Sequence, residues 1–202
     1  MGARETAPDS TADPARRLRP VRVVLVDTSH PGNIGATARA MKVMGLSALH
    51  LVTPKTYPSA DATARASGAD DLLQAAQVHD SLESALRGCT LVLGTSARLR
   101  SLPMPMFDAR RAARQALQES GSHEVALLFG RERYGLTNEE MMRCQYLVNI
   151  PANPEYSSLN LAQAVQIMAY EMRIAAQGFA DIEIAPPDWQ PVDDTQMERL
   201  FE

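Results

Sequence analysis

Residues able to do chemistry concentrate in four short stretches of this sequence. The first, residues 28–39, contains His30-Pro31-Gly32-Asn33-Ile34-Gly35 and ends on Arg39. The second is Thr95-Ser96-Ala97. The third, residues 130–136, runs Gly130-Arg131-Glu132-Arg133-Tyr134-Gly135-Leu136. The fourth, residues 150–160, opens on Ile150 and closes on Ser157-Ser158-Leu159-Asn160. Loops this rich in Gly, Pro, Ser, Thr and Asn leave backbone N–H and C=O groups free for a ligand. Arg39 offers a guanidinium suited to a phosphate or a developing oxyanion. Glu132 offers a carboxylate, and Asn33 and Asn160 offer amides that both donate and accept. Each residue also has a structural reading. Gly32 and Gly35 suit a tight strand-to-helix turn. Arg39, about one and a half turns into the following helix, sits where arginines pair with surface carboxylates. Capping accounts for a serine before the last helix, and Glu132 between two arginines reads equally as a solvated charge run. The glycine pair lacks G-x-G-x-x-G spacing and a P-loop lysine, which excludes dinucleotide and triphosphate sites.

Those stretches need a scaffold, and hydrophobic patterning supplies one. Residues 21–27 (VRVVLVD) form a nearly continuous apolar, β-branched run, the signature of a buried parallel strand. A helix over 34–44 follows, with Asn33 as N-cap and Gly45 as its stop. Ile34, Ala38 and Met41 share its inner face. Residues 46–52 complete a βαβ unit. Short helices are expected over 59–76, broken near Gly68, and over 81–86. Further strands are expected over 90–94, 124–129 and 146–150. A helix over 108–119 has an Arg-rich outer face. The last helix, 159–177, turns Leu161, Val165, Met168, Met172 and Ala175 inward. Alternating strands and helices predict an α/β fold, a mostly parallel sheet flanked by helices. Ligand sites in such sheets lie at the carboxyl ends of strands, where all four stretches fall.

The chain has 202 residues, 45% of them hydrophobic, enough for one buried core. Residues 1–20 are expected to be a disordered leader, 21–178 the folded domain, and 179–202 an acidic, proline-containing linker with the start of a further C-terminal region. A short terminal helix packed back on the body is the other reading of those last residues. No stretch approaches the roughly 20 apolar residues of a membrane span. The leader lacks the apolar run of a secretory signal, so a cytoplasmic location is expected. Cys89 and Cys144 have no partners at metal-ligand spacing and are expected to be reduced, packed thiols, with no metal site. The formal net charge of −4 is uneven. Seven acids lie in residues 181–202 against Arg199, and the rest of the chain is nearly neutral. That balance permits a local basic groove. Arg98, Arg110, Arg111 and Arg114, close in sequence to the second stretch, suit either the phosphates of a nucleic acid or a solvated helix face.

Taken together, three segments resemble the motifs of the SPOUT superfamily of RNA 2′-O-methyltransferases. They are Asn33 through Arg39 (NIGATAR), Leu128 through Leu136 (LFGRERYGL), and Ile150 through Asn160 (IPANPEYSSLN). The resemblance covers about residues 20–177 and is nearest to the branch that modifies tRNA. It implies a C-terminal trefoil knot, which general topology rules would not suggest, and a homodimer. It implies S-adenosylmethionine as cofactor, held by Thr95, Ser96, Ala97, Gly130, Ile150, Ser157, Ser158 and Leu159. Arg39 would be the key catalytic residue, with Asn33, Glu132 and Asn160 as polar site residues. The implied reaction is methylation of a ribose 2′-hydroxyl in tRNA, at the pyrimidine of anticodon-loop position 32. A methyltransferase of ribosomal RNA and a catalytically inactive tRNA-binding module are the alternatives.

Overall fold

The computed structural model describes residues 13–97, 104–121 and 123–178. The chain begins with helix α1 (Pro14–Leu18), strand β1 (Val21–Val26), helix α2 (Pro31–Met44) and strand β2 (Ala48–Val52). Two short helices, α3 (Ala60–Ala66) and α4 (Asp70–Ala75), lead to β3 (Gln77–His79). Helix α5 (Leu82–Leu86), β4 (Cys89–Thr95), β5 (Met106–Asp108) and α6 (Ala109–Glu119) follow. The last elements are β6 (Glu124–Phe129), α7 (Asn138–Met141), β7 (Tyr146–Asn149) and α8 (Leu161–Gln177).

The strands form one seven-stranded sheet in the order β3-β2-β1-β6-β4-β7-β5, and every neighbouring pair is parallel. Val23 and Leu25 are buried on one face, Val24 and Val26 on the other. That is why β1 reads as unbroken apolar sequence instead of alternating. Helices α2, α3, α6 and α8 cover the first face, while α5 and α7 contribute to the smaller core on the second. The inward set expected on α8 is buried in full. β7 is inserted between β4 and β5, both earlier in the chain, consistent with the knotted C-terminal end implied by the resemblance.

Two expectations are corrected, and two strands are added. Residues 13–20 are not part of a disordered leader. Asp13 caps α1 through the Ala15 N–H, Leu18 is fully buried, and Arg17 donates to the carbonyls of Ala175 and Ala176 at the end of α8. Residues 1–12 and 179–202 lie outside the described residues. Asn33 is not the N-cap of α2, which starts at Pro31 with His30 as the cap. Proline fits the first helical position because its missing N–H would have had no partner there. Finally, the edge strands β3 and β5 went unrecognised, because three residues are too few to display periodicity.

Away from the strand ends lies a second polar cluster. His50 on β2 is buried, and its Nδ1 lies 2.9 Å from Nε2 of His79 on β3, with the two ring planes nearly parallel. Arg22 approaches from β1, donating to the carbonyls of Ala85 and Arg87 and pairing with Glu124. Burial, with Arg22 and His79 adding to it, holds His50 down at about 4, and burial also lowers His79. Between pH 6.5 and about 4 the unfolded chain therefore binds a proton at His50 that the folded chain refuses. Stability is full above pH 6.5 and falls as pH drops through that window, by about 3 kcal/mol from His50 alone. Urea unfolding at pH 7.5 and pH 5 should show about 2 kcal/mol of this loss; equal midpoints would contradict it.

Candidate active site

The carboxyl ends of β6, β4 and β7 are neighbours in the sheet and open onto a cavity of about 360 Å³. Its lining takes in Thr95, Ser96 and Ala97 after β4, Gly130 and Glu132 after β6, and Ile150 with Ser157, Ser158 and Leu159 after β7. All eight residues expected to hold a cofactor thus meet in one place. Polar and apolar surface alternate around the wall, as suits a ligand with a heterocycle and several hydrogen-bonding groups.

Hydrogen bonds between strand ends fix the shape of this wall. The Thr95 hydroxyl donates to the Leu128 carbonyl at 3.0 Å, and the Ser96 N–H donates to the Val148 carbonyl at 2.9 Å. Asn149 donates through Nδ2 to the Ser96 carbonyl at 3.0 Å. Residues 131–135 form a tight loop closed by reciprocal backbone bonds between Arg131 and Gly135. Gly130 permits that closure, since a Cβ there would lie 2.1 Å from the Gly135 carbonyl carbon. Gly130→Ala should therefore cost about 1–3 kcal/mol of stability and weaken binding in the cavity. Chemical denaturation and ligand titration of the variant check both, and an unchanged stability would show that the loop gives way freely.

Glu132 joins the cavity to α2. Its carboxylate accepts from the Ser29 N–H (3.1 Å), the Ser29 hydroxyl (3.0 Å), the His30 N–H (3.1 Å) and Asn33 Nδ2 (2.9 Å). Two of these donors are backbone groups at the start of α2, so Glu132 does the capping work expected of Asn33. Burial by itself would raise the Glu132 carboxyl, but the bonds from Asn33, Ser29 and His30 outweigh it and hold it at about 2. Asn33 Oδ1 in turn accepts from Asn160 Nδ2 at 3.0 Å. Asn160 caps α8 with its side-chain oxygen on the Ala162 N–H at 2.9 Å. The charge-run reading of Glu132 is thereby excluded.

Asn33, Arg39 and Asn160 are not part of the cavity lining. Asn33 and Asn160 stand one and two hydrogen bonds behind Glu132. Arg39 is exposed on α2 and makes no hydrogen bond or ion pair among the described residues. Its surface-pairing reading therefore lacks a carboxylate. Of the expected RNA contacts, Arg110 pairs with Glu171 at 3.3 Å and Arg111 lies 4.2 Å over the Phe107 ring. Arg114 is exposed on the same helix, and Arg98 lies outside the described residues.

Asp27, Arg131 and Glu140 were missed from the sequence. Arg131 bonds Asp27 at 2.8 Å and grips both oxygens of Glu140 at 2.9 and 3.0 Å. Asp27, in a left-handed backbone conformation at the end of β1, also pairs with Lys55 at 2.7 Å. This network ties the 131–135 loop to β1 and α7. The acid ending an apolar strand at Asp27 was the available signal. Cys89 and Cys144 are both free thiols. Among the described residues no three His, Cys, Asp or Glu are placed to hold a metal ion, and no helix is long and apolar enough to cross a membrane.

Fold and site together define an α/β protein with a ligand cleft at the carboxyl edge of a parallel sheet. Residues 20–170 match the SpoU rRNA Methylase family, and the chain belongs to it. It is 60% identical over 162 residues to the tRNA (cytidine/uridine/adenosine-2′-O-)-methyltransferase TrmJ of Pseudomonas aeruginosa, covering 78% of this chain. The chain spans about 63% of that relative's length. Among solved structures, TrmJ from Z. mobilis aligns with a TM-score of 0.73 at 38% identity, over 75% of this chain and 67% of that one. An AdoMet-bound rRNA methyltransferase from Sinorhizobium meliloti aligns with a TM-score of 0.60 at 28% identity, over 80% and 60%.

Proposed function

We propose that the chain uses S-adenosylmethionine to methylate a ribose 2′-hydroxyl of tRNA, at the pyrimidine of anticodon-loop position 32, as a cytoplasmic homodimer. One observation carries this reading: the cavity lining gathers the eight residues that the motif resemblance assigns to the cofactor. The similarity to TrmJ proteins favours tRNA, and the AdoMet-bound relative favours the cofactor. The cavity suits such a ligand in size and in its mixture of polar and apolar wall. Thr95, Ser96, Ala97, Gly130, Ile150 and residues 157–159 would hold it. When bound, it supplies an electrophilic methyl carbon on a sulfonium sulfur. The chain's own contribution is alignment, for which well-oriented systems gain up to roughly 7–11 kcal/mol. Arg39 holds the RNA phosphate and stabilises negative charge developing on the ribose oxygen. Glu132, Asn33 and Asn160 fix the start of the helix that carries it. The homodimer rests on the motif resemblance alone.

Labelled methyl transfer into tRNA and ribosomal RNA transcripts, with the modified nucleotide mapped, tests the reaction and its substrate. Label at position 32 of tRNA is expected. Label elsewhere in the loop overturns the position, and label in ribosomal RNA alone overturns the substrate. The demethylated cofactor at 100 times its dissociation constant should stabilise the fold by about 2.7 kcal/mol; no stabilisation overturns the cofactor site. Sedimentation equilibrium reads the dimer directly, and a monomer at micromolar concentration counts against it. Neutralising Arg110, Arg111 and Arg114 together should flatten the salt dependence of tRNA binding by up to about three phosphate contacts. An unchanged slope removes that face from the RNA path.

A further inference from the structure

Two tyrosines stand at the mouth of the cavity with their rings in solvent. Tyr134 is 71% exposed and Tyr156 is 83% exposed, and both belong to the cavity lining. Such exposure is unusual for large aromatic side chains. Each sits on a braced turn. Tyr134 is near the tip of the 131–135 loop, with the Arg133 guanidinium 5.8 Å from its ring centroid. Tyr156 closes a turn in which its N–H donates to the Asn153 carbonyl at 2.9 Å. In the same turn Asn153 Oδ1 accepts from the Glu155 N–H at 3.1 Å. The rings therefore rise from the two loops on either side of the opening, one after β6 and the other after β7, without packing into the core.

We propose that Tyr134 and Tyr156 form an aromatic rim that stacks the base of the target nucleotide while its ribose enters the site. This rests on the methyltransferase reading above. If the cofactor fills the cavity, the substrate nucleotide is left to the rim. If drawing the ribose into the opening pulls its base away from its neighbours in the RNA loop, that unstacking costs a few kcal/mol. Exposed aromatic rings recover that loss, because stacking a base on one contributes about 1–3 kcal/mol, or roughly 5- to 150-fold. Stacking accepts any base with a π-face, so the rim selects an unpaired nucleotide over a paired one and leaves base identity to other contacts. Arg133 beside Tyr134 adds a cation to the same platform.

The test compares the full chain with Tyr134→Ala, Tyr156→Ala and the corresponding Phe variants in three measurements. These are calorimetric affinity for S-adenosylhomocysteine, methyl transfer to a tRNA transcript, and fluorescence of an anticodon stem-loop carrying pyrrolocytidine at the target position. Each Ala variant should lose roughly 5- to 150-fold in kcat/KM, a larger factor than any loss of affinity for S-adenosylhomocysteine. The Phe variants should retain transfer. Pyrrolocytidine should be quenched on binding the parent chain and stay bright with the Ala variants. Ala variants that transfer methyl as well as the parent overturn the rim. Ala variants that lose S-adenosylhomocysteine affinity by the same factor as transfer make the tyrosines a cover for the cofactor instead. A parent chain that transfers no methyl to any RNA overturns the functional reading itself, and the rim with it.

Discussion

Replacing Arg39 with alanine is expected to slow methyl transfer by about 100- to 1,000-fold, the usual loss when one preorganised donor to a developing oxyanion is removed. The fold should not notice. Arg39 is exposed on α2 and has no ion-pair or hydrogen-bond partner among the described residues, and surface changes of that kind stay within about 0.5 kcal/mol. Cofactor affinity should also hold, because the residue is outside the cavity lining. The prediction is therefore a drop in kcat with little change in melting temperature or in S-adenosylhomocysteine binding. A guanidinium group keeps its proton under all conditions in which proteins work. We therefore propose for Arg39 charge stabilisation and phosphate contact in place of taking the proton of the attacking hydroxyl. Arg39→Lys keeps the charge but loses the planar fork, and should recover only part of the activity. Full turnover in the lysine variant, with unaltered phosphate-dependent affinity, would remove Arg39 from the mechanism.

The second large effect belongs to Glu132. Its two oxygens each accept from two donors among Ser29, His30 and Asn33. Glu132→Gln preserves the shape but replaces one oxygen with an N–H₂ group that faces two donors. Those donors lose their acceptor, at a cost of about 2 kcal/mol in a site partly open to water. The larger consequence falls on geometry. The start of α2 is held by this carboxylate, and a displacement of about 1 Å near the reacting groups costs on the order of 100-fold in rate. The proposed role of Glu132 is to act through the helix as a positioning residue, and on that role kcat should fall by more than KM rises. The pH dependence carries a further signature. The carboxyl is held at about 2 against an ordinary value of 4.5. Its contribution to stability is therefore complete above pH 4.5 and lost as pH falls toward 2. That window overlaps the one set by His50 only between pH 4.5 and about 4, so most of each loss is read separately in an acid titration of stability. A Glu132→Gln chain with parental kcat and the same acid limb would refute the positioning role.

Much of the site was legible before any fold was known, because it is built from backbone groups at strand ends. Gly, Pro, Ser and Asn mark such loops by their conformational preferences, and these act locally. The same holds for the central strands and for α8, whose burial pattern depends only on period and residue type. What was not legible involved partners far apart in the chain. Glu132 looked like part of a charge run until the sheet brought it to Ser29 and His30, about a hundred positions away. Arg131 likewise meets Asp27 across the junction of β1 and β6. The short strands β3 and β5 acquire their identity from the neighbours they pair with, and α1 is ordered by its contact with α8.

The amino-acid order by itself therefore determined the alternation of strands and helices, the loops that carry the chemistry and the group of families to which they belong. The first two follow from interactions within a few residues, and the last from the resemblance of its motifs. Only the tertiary structure decided which polar side chains work together, that Glu132 holds the helix start assigned to Asn33, and that two tyrosines are left facing solvent at the cavity mouth. Hydrogen-bond geometry and burial depend on the path of the whole chain, and spacing along it does not encode them.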